Sequence, residues 1–177
     1  VFTFKITGIP RSMTHQIVRH RQMSFGQQSY RVSSCYSDPV RFPASLQERM
    51  DAENEDPTVG EEGTMRLELM YKEAVMKCRA TYKALIEAGI PMEQARNIMP
   101  MGTCTKIAVT MRLRDMIEYF NGRTSDITQD EHTYLVCLMA KEMQDKQPEF
   151  FNFIKSRAKG LEDTMAKYLN PSYAGAD

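Results

Sequence analysis

Arg19-His20-Arg21-Gln22-Met23-Ser24-Phe25-Gly26-Gln27-Gln28-Ser29-Tyr30-Arg31 is the stretch from which the rest of this chain is read. Two guanidiniums flank an imidazole, seven residues intervene, and Ser29 and Arg31 follow. A guanidinium presents a planar fork of donors that matches phosphate and carbonyl edges, and it stays charged at any working pH. The spacing therefore suits two anionic ligands held edge to edge.

Before this stretch, Val1-Phe2-Thr3-Phe4-Lys5-Ile6-Thr7 is aromatic and β-branched and ends at Gly8 and Pro10, which predicts a strand. Pro10 can open a helix through about Met23, with Ser12 or Thr14 near its start. From Ser24 to about Tyr36 the Ser, Gln and Tyr content predicts loop and short extended structure. Residues 38–62 hold three prolines and the acidic group Asp51, Glu53, Glu55 and Asp56, which reads as a surface excursion.

After it, Leu67, Leu69, Met70, Ala74, Val75, Cys78, Tyr82, Leu85 and Ile86 recur at helical spacing, predicting a long amphipathic helix from Met65 to Glu87 ended by Gly89 and Pro91. A short helix is expected over Met92 to Ile98, a second strand over Thr103 to Met111, and a helix from Arg114 to Phe120 broken by Gly122. Helices from Thr128 to Gln144 and from Glu149 to Leu169 complete the reading. The fold class is α+β, mostly helical, a single domain over residues 1–177 with a small sheet.

Composition sets limits. A chain of 177 residues with 42% hydrophobic content can bury one sizeable core. Formal net charge is zero, which argues against bulk attraction to a nucleic acid polymer or a membrane surface. No apolar run approaches the roughly 20 residues that span a bilayer. Cys35, Cys78, Cys104 and Cys137 are scattered without a Cys-x-x-Cys pair, pointing to reduced thiols and a cytoplasmic location. His15 and His132 read as isolated, and no metal site is expected. The fourteen methionines, Met70, Met76, Met111 and Met139 among them, read as core filler.

Arg41, Arg49 and Arg157 read as solvated charges. Arg19, His20, Arg21, Arg31, Arg96, Arg112, Arg114 and Arg123 instead sit within or beside apolar segments or turns. Gathered in a fold they could clamp a nucleotide phosphate and a dinucleotide pyrophosphate. Equally, they could form ion pairs with Glu93, Asp115, Glu118 and Glu131. The residues alone leave both readings open.

The Arg-His-Arg, seven residues, Ser pattern resembles the signature of the flavin-dependent thymidylate synthases. Further landmarks fall in that family's order: the Val-Phe-Thr-Phe opening, Gln16 ahead of Arg19, Ala95-Arg96-Asn97-Ile98-Met99-Pro100, Thr105, Arg112-Leu113-Arg114 and then Arg123. The likeness runs over residues 1 to about 131. It implies methylation of dUMP at uracil C5, with methylenetetrahydrofolate as carbon donor, reduced FAD as hydride source and NADPH as reductant. It also implies a homotetramer whose sites form where subunits meet.

Carried over by position, Arg19, His20, Arg21, Gln27, Arg112, Leu113, Arg114 and Glu118 would contact FAD. Gln16, Arg19, Gln27, Gln28, Ser29, Tyr30, Arg31, Arg96 and Arg123 would contact dUMP, with residues 27–31 forming a loop given to a neighbouring subunit. Arg123 and Ser29 are the catalytic candidates. Arg123 would polarise uracil N3, and Ser29 is assigned to binding and orientation because no histidine or lysine is paired with it in sequence as a base. Departures lie mainly on the flavin side: Arg112 for a common Asn, Glu118 for a polar or basic contact, Ile127 for a common His, Gln27 for Glu and Gly26 for a polar residue. The resemblance also implies a chain that lacks the family's N-terminal segment, which carries a His and further contacts. A dUMP or dCMP hydroxymethylase, or a non-catalytic nucleotide-binding homologue, are the alternative functions.

Overall fold

The computed structural model describes residues 1–55, 62–124 and 128–170. Asp56 and Ile127, both singled out above, lie outside them. The described elements run β1 (Phe2–Pro10), α1 (Arg11–Ile17), β2 (Ser24–Gln27), α2 (Ala44–Glu55), α3 (Glu62–Glu87), α4 (Met92–Ala95) with a 3-10 turn over Arg96–Ile98, β3 (Cys104–Met111), α5 (Leu113–Arg123), α6 (Asp130–Lys146), α7 (Pro148–Lys155) and α8 (Leu161–Tyr168). The three strands form one small antiparallel sheet in the order β1-β3-β2. The α+β class, mostly helical with a small sheet, is what the sequence predicts.

Residues of the chain cluster into two units. Lys5–Gln16 and Gly26–Ile107 make one, called here the loop unit. Val1–Phe4, Ile17–Phe25 and the chain from Ala108 onward make the other, called here the helical unit.

In the helical unit, Val109 and Met111 are buried and alternate with half-buried Ala108 and Thr110, the period-two pattern of a strand with one face on a core. Thr3 and Thr110 share a hydroxyl hydrogen bond of 2.9 Å across neighbouring strands. Helix α5 begins where the Asp115 carboxylate reaches back to the backbone N–H of Arg112, satisfying one donor left over at a helix start. Met116, Tyr119 and Phe120 then point into the core. Helix α6 packs on α5, α7 and α8, burying Leu135, Val136, Cys137, Met139, Ala140 and Met143 along one face. Pro148 sits in the first turn of α7, where its missing N–H costs nothing, and Gly160 at φ 72° stands between α7 and α8. That glycine splits the single stretch expected from Glu149 to Leu169.

In the loop unit, Tyr30, Cys35, Tyr82 and Ala95 form a small buried cluster with Leu85, Met92 and Met99 packed against it. Helix α3 packs against α2, α4 and the 3-10 turn. Arg41, expected as a solvated charge, donates from Nε to the Gly8 carbonyl at 2.9 Å.

Several boundaries differ from the sequence reading. The surface excursion contains helix α2 over Ala44–Glu55, because Ala44, Leu46, Gln47, Glu48, Arg49 and Met50 are good helix formers and the prolines flank it. The first helix stops at Ile17, with turns carrying the chain to β2. Gly122 does not break α5, which runs on to Arg123, since a single glycine in a helix costs only about 1 kcal/mol. Met70 and Met76 are 55% and 64% exposed, so they do not fill the core of this chain as expected; Met111 and Met139 do. The helical period of α3 is real, but its apolar residues lie on more than one face.

Truncating Phe120, which has no exposed surface, should cost about 3–5 kcal/mol and lower the thermal midpoint by on the order of 10 °C. A midpoint for Phe120→Ala within a degree of the unaltered protein would contradict this core.

Candidate functional site

Residues from the resemblance fall into both units. Gln16, Gln27, Gln28, Ser29, Tyr30, Arg31 and Arg96 belong to the loop unit. Arg19, His20, Arg21, Arg112, Leu113, Arg114, Glu118 and Arg123 belong to the helical unit.

In the loop unit, Gln28 continues the strand pairing of β2 by donating its backbone N–H to the Lys106 carbonyl at 2.9 Å. The chain then turns. The Ser29 carbonyl accepts from the Ser33 hydroxyl at 2.8 Å and from the Ser33 N–H at 3.1 Å, and the Ser29 hydroxyl accepts from the Arg31 N–H at 3.3 Å. Tyr30 is the anchor. Its ring is buried with the Arg11 guanidinium 4.8 Å above it, and its hydroxyl donates to the Cys104 carbonyl. Burial comes first among the causes that push the Tyr30 phenol up to about 12, so it stays protonated and able to donate. With Tyr30 inward, Ser29 and Arg31 on either side of it are exposed.

Arg31 pairs with Glu93, Nε and Nη2 each 3.1 Å from Oε2, and Arg96 donates from Nε to the Glu93 carbonyl at 3.1 Å. Glu93 thus ties together two arginines expected at the nucleotide. Gln27 donates to the Thr14 hydroxyl at 3.1 Å, which fixes its side-chain amide.

In the helical unit the arginines separate by partner. Arg112 holds the buried Asp115 carboxylate bidentately, Nε to Oδ2 at 2.8 Å and Nη2 to Oδ1 at 3.1 Å. This hydrogen bonding is the leading cause that keeps the Asp115 carboxyl below the usual carboxylate range. Arg114 lies 3.5 Å from Glu118, an exposed pair one helical turn apart. Three of the four carboxylates named as salt-bridge partners therefore take an arginine. Arg19 and Arg21 are exposed.

Arg123 is different. Its Nε and Nη2 point at one atom, His20 Nε2, at 3.2 and 2.8 Å. Only a lone pair can receive them, so His20 is neutral with its proton on Nδ1. Burial, then the Arg123 charge, pulls the His20 pKa below 6.5, which agrees. Among the described residues Arg123 makes no ion pair. It is a fixed cation beside a neutral acceptor.

The sequence reading missed what lies behind it. The ring of Tyr119, one helical turn before Arg123, meets the His20 ring edge-on at 4.8 Å and 78°. Its hydroxyl is 2.7 Å from His132 Nε2. His132 is fully buried, and its neighbour Thr133 donates to the Arg123 carbonyl at 3.0 Å. The i, i+4 spacing of Tyr119 and Arg123 was visible in the sequence; the return of α6 onto α5 was not.

The donor chemistry of the helical unit suits a flavin dinucleotide. Exposed guanidiniums at Arg19 and Arg21 fit a pyrophosphate, Arg114 is shared with exposed Glu118, and Arg112 is committed to buried Asp115.

A pH dependence follows from His132. Burial, the leading cause, lowers its pKa from 6.5 to about 3. Below pH 6.5 the unfolded chain takes up a proton that the native imidazole refuses, so stability falls as the pH drops from 6.5 toward 3, by up to about 1.4 kcal/mol per pH unit. His20 acts in the same direction. Thermal midpoints at pH 7 and pH 5 should differ less for His132→Leu than for the unaltered protein. An equal drop would place the acid sensitivity elsewhere.

A profile of the family described as Thymidylate synthase complementing protein matches residues 1–149. Relatives named flavin-dependent thymidylate synthase include that of Geobacter sulfurreducens, 33% identical over 150 residues, covering 85% of this chain and 59% of the relative. That of Saccharolobus solfataricus is 31% identical, covering 86% and 53%, and that of Pyrococcus furiosus 33% identical, covering 80% and 54%. The chain thus spans between half and three-fifths of the length of these relatives. The match over residues 1–149, together with relatives of one name across most of the chain, establishes that it belongs to the thymidylate synthase complementing protein family.

Proposed function

We propose that this protein is a flavin-dependent thymidylate synthase that methylates dUMP at uracil C5, with methylenetetrahydrofolate as carbon donor and NADPH as reductant. The observation that carries this reading is Arg123: a guanidinium held by a neutral imidazole, with no carboxylate paired to it among the described residues. Such a cation is available for negative charge that develops on a bound base, and preorganised charge of this kind is often the largest single contribution to a rate. Reduced FAD, when bound, supplies hydride. Arg19, His20, Arg21, Gln27, Arg112, Leu113, Arg114 and Glu118 are the residues assigned to holding it.

Ser29 and Arg31 are assigned to the nucleotide phosphate and sugar, with Gln16, Arg19, Gln28, Tyr30 and Arg96 completing the dUMP set. Arg31 must exchange its carboxylate partner Glu93 for phosphate, which an exposed pair allows at a cost of at most about 1 kcal/mol. Tyr30 contributes by anchoring the loop. The remaining catalytic role is Arg123 on uracil N3, and Ser29 orients the substrate.

We further read the chain as one domain of a cytoplasmic homotetramer, with residues 27–31 reaching a neighbouring subunit's site. Exposed Met65, Leu67, Leu69, Met70 and Met76 on α3 are candidates for subunit contact.

Incubation with dUMP, methylenetetrahydrofolate, FAD and NADPH should yield a product with the mass of dTMP. The hydroxymethyl product would contradict reductive methylation. Arg123→Ala should fold and bind flavin but lose roughly 10²-fold or more in turnover; unaltered turnover would refute its role. Arg31→Ala should chiefly weaken dUMP binding, read as a raised KM, and an unchanged KM would mean that the loop is wrongly assigned.

A further inference from the structure

Tyr119 and His132 make a hydrogen bond of 2.7 Å with both residues essentially out of water. Replacing a buried polar pair by apolar groups of similar volume is often neutral or stabilising, so stability alone does not explain a phenol and an imidazole here. Their position is informative. Tyr119 shares a face of α5 with Arg123 and lays its ring against His20. His132 and Thr133, adjacent in α6, grip α5 at two points, the Tyr119 hydroxyl and the Arg123 carbonyl at 3.0 Å. Backbone and side chain of Arg123 are thus both referred to the start of α6.

We propose that Tyr119 and His132 are positioning residues: their buried hydrogen bond fixes the rotation of the Tyr119 ring against His20 and so sets where His20 holds the Arg123 guanidinium. Dispersion between rings is weakly directional, and a hydrogen bond at the far edge of the phenol supplies the missing direction. Burial raises the Tyr119 phenol and lowers the His132 imidazole, so both are neutral, and one hydrogen bond joins the phenol oxygen to Nε2, its direction set by the His132 tautomer. The catalytic consequence rests on the function proposed above. The geometric part does not.

The test compares the unaltered protein with Tyr119→Phe, with the double variant Tyr119→Phe/His132→Leu, and with His132→Gln. The double variant exchanges the polar pair for an apolar one and should keep its thermal midpoint within a few degrees. The first readout, on ligand-free protein labelled with ¹⁵N-arginine, is the Arg123 Nε–H resonance. It should be sharp in the unaltered protein, broadened in Tyr119→Phe and the double variant, and sharp again in His132→Gln, whose amide oxygen can accept from the phenol. The second is turnover: kcat should fall about tenfold with KM for dUMP within twofold, and recover in His132→Gln. A sharp Nε–H resonance with unaltered kcat in the double variant would overturn the proposal. If the double variant does not fold, Tyr119→Phe alone decides by the same readouts. If the unaltered protein makes no thymidylate, the proposed function fails and the resonance still decides the positioning role.

Discussion

Two N–H groups of Arg123 converge on one nitrogen of His20, and the candidate chemistry depends on that nitrogen having no proton. Burial disfavours an imidazolium, and the neighbouring guanidinium disfavours it further. The arrangement enforces itself: the cation keeps its partner neutral, and the neutral partner keeps the cation in place without cancelling its charge. A carboxylate in the position of His20 would hold Arg123 more strongly and leave it far less able to stabilise an anion on a ligand. Arg112 illustrates that other case, since its charge is taken up by buried Asp115.

Local patterns carried most of the fold. The strand at β3, the apolar period of α3, the helix at α6 and the stop of α3 before Gly89 and Pro91 were legible, because they follow from backbone geometry over a few residues. Helix α2 was hidden by a polar sequence without a clear apolar face, and the break at Gly160 needed a positive φ that composition does not display. Met70 and Met76 were misplaced because helical spacing shows that a residue lies on a helix but not which face meets a core.

The candidate site was legible in part. The Arg-His-Arg motif and Arg123 were identified 102 residues apart, counting from Arg21, and the structure joins them through His20. The loop was identified too, yet the alternation within it was not: Tyr30 turns inward as an anchor, and this leaves Ser29 and Arg31 at the surface. Tyr119 escaped notice and His132 was read only as an isolated histidine, because each is ordinary in its own helix and only the packing of α6 on α5 joins them. Glu93 was named as a possible partner for an arginine, though the sequence did not indicate that it would engage both Arg31 and Arg96.

The protonation state of His20 is the most direct measurement. With ¹⁵N-histidine labelling at pH 7 and no ligand present, His20 should be neutral, protonated at Nδ1, with Nε2 showing the shift of an unprotonated acceptor. An imidazolium, or a proton on Nε2, would mean that Arg123 is not held by this lone pair, and the fixed cation inferred for the site would lose its physical basis.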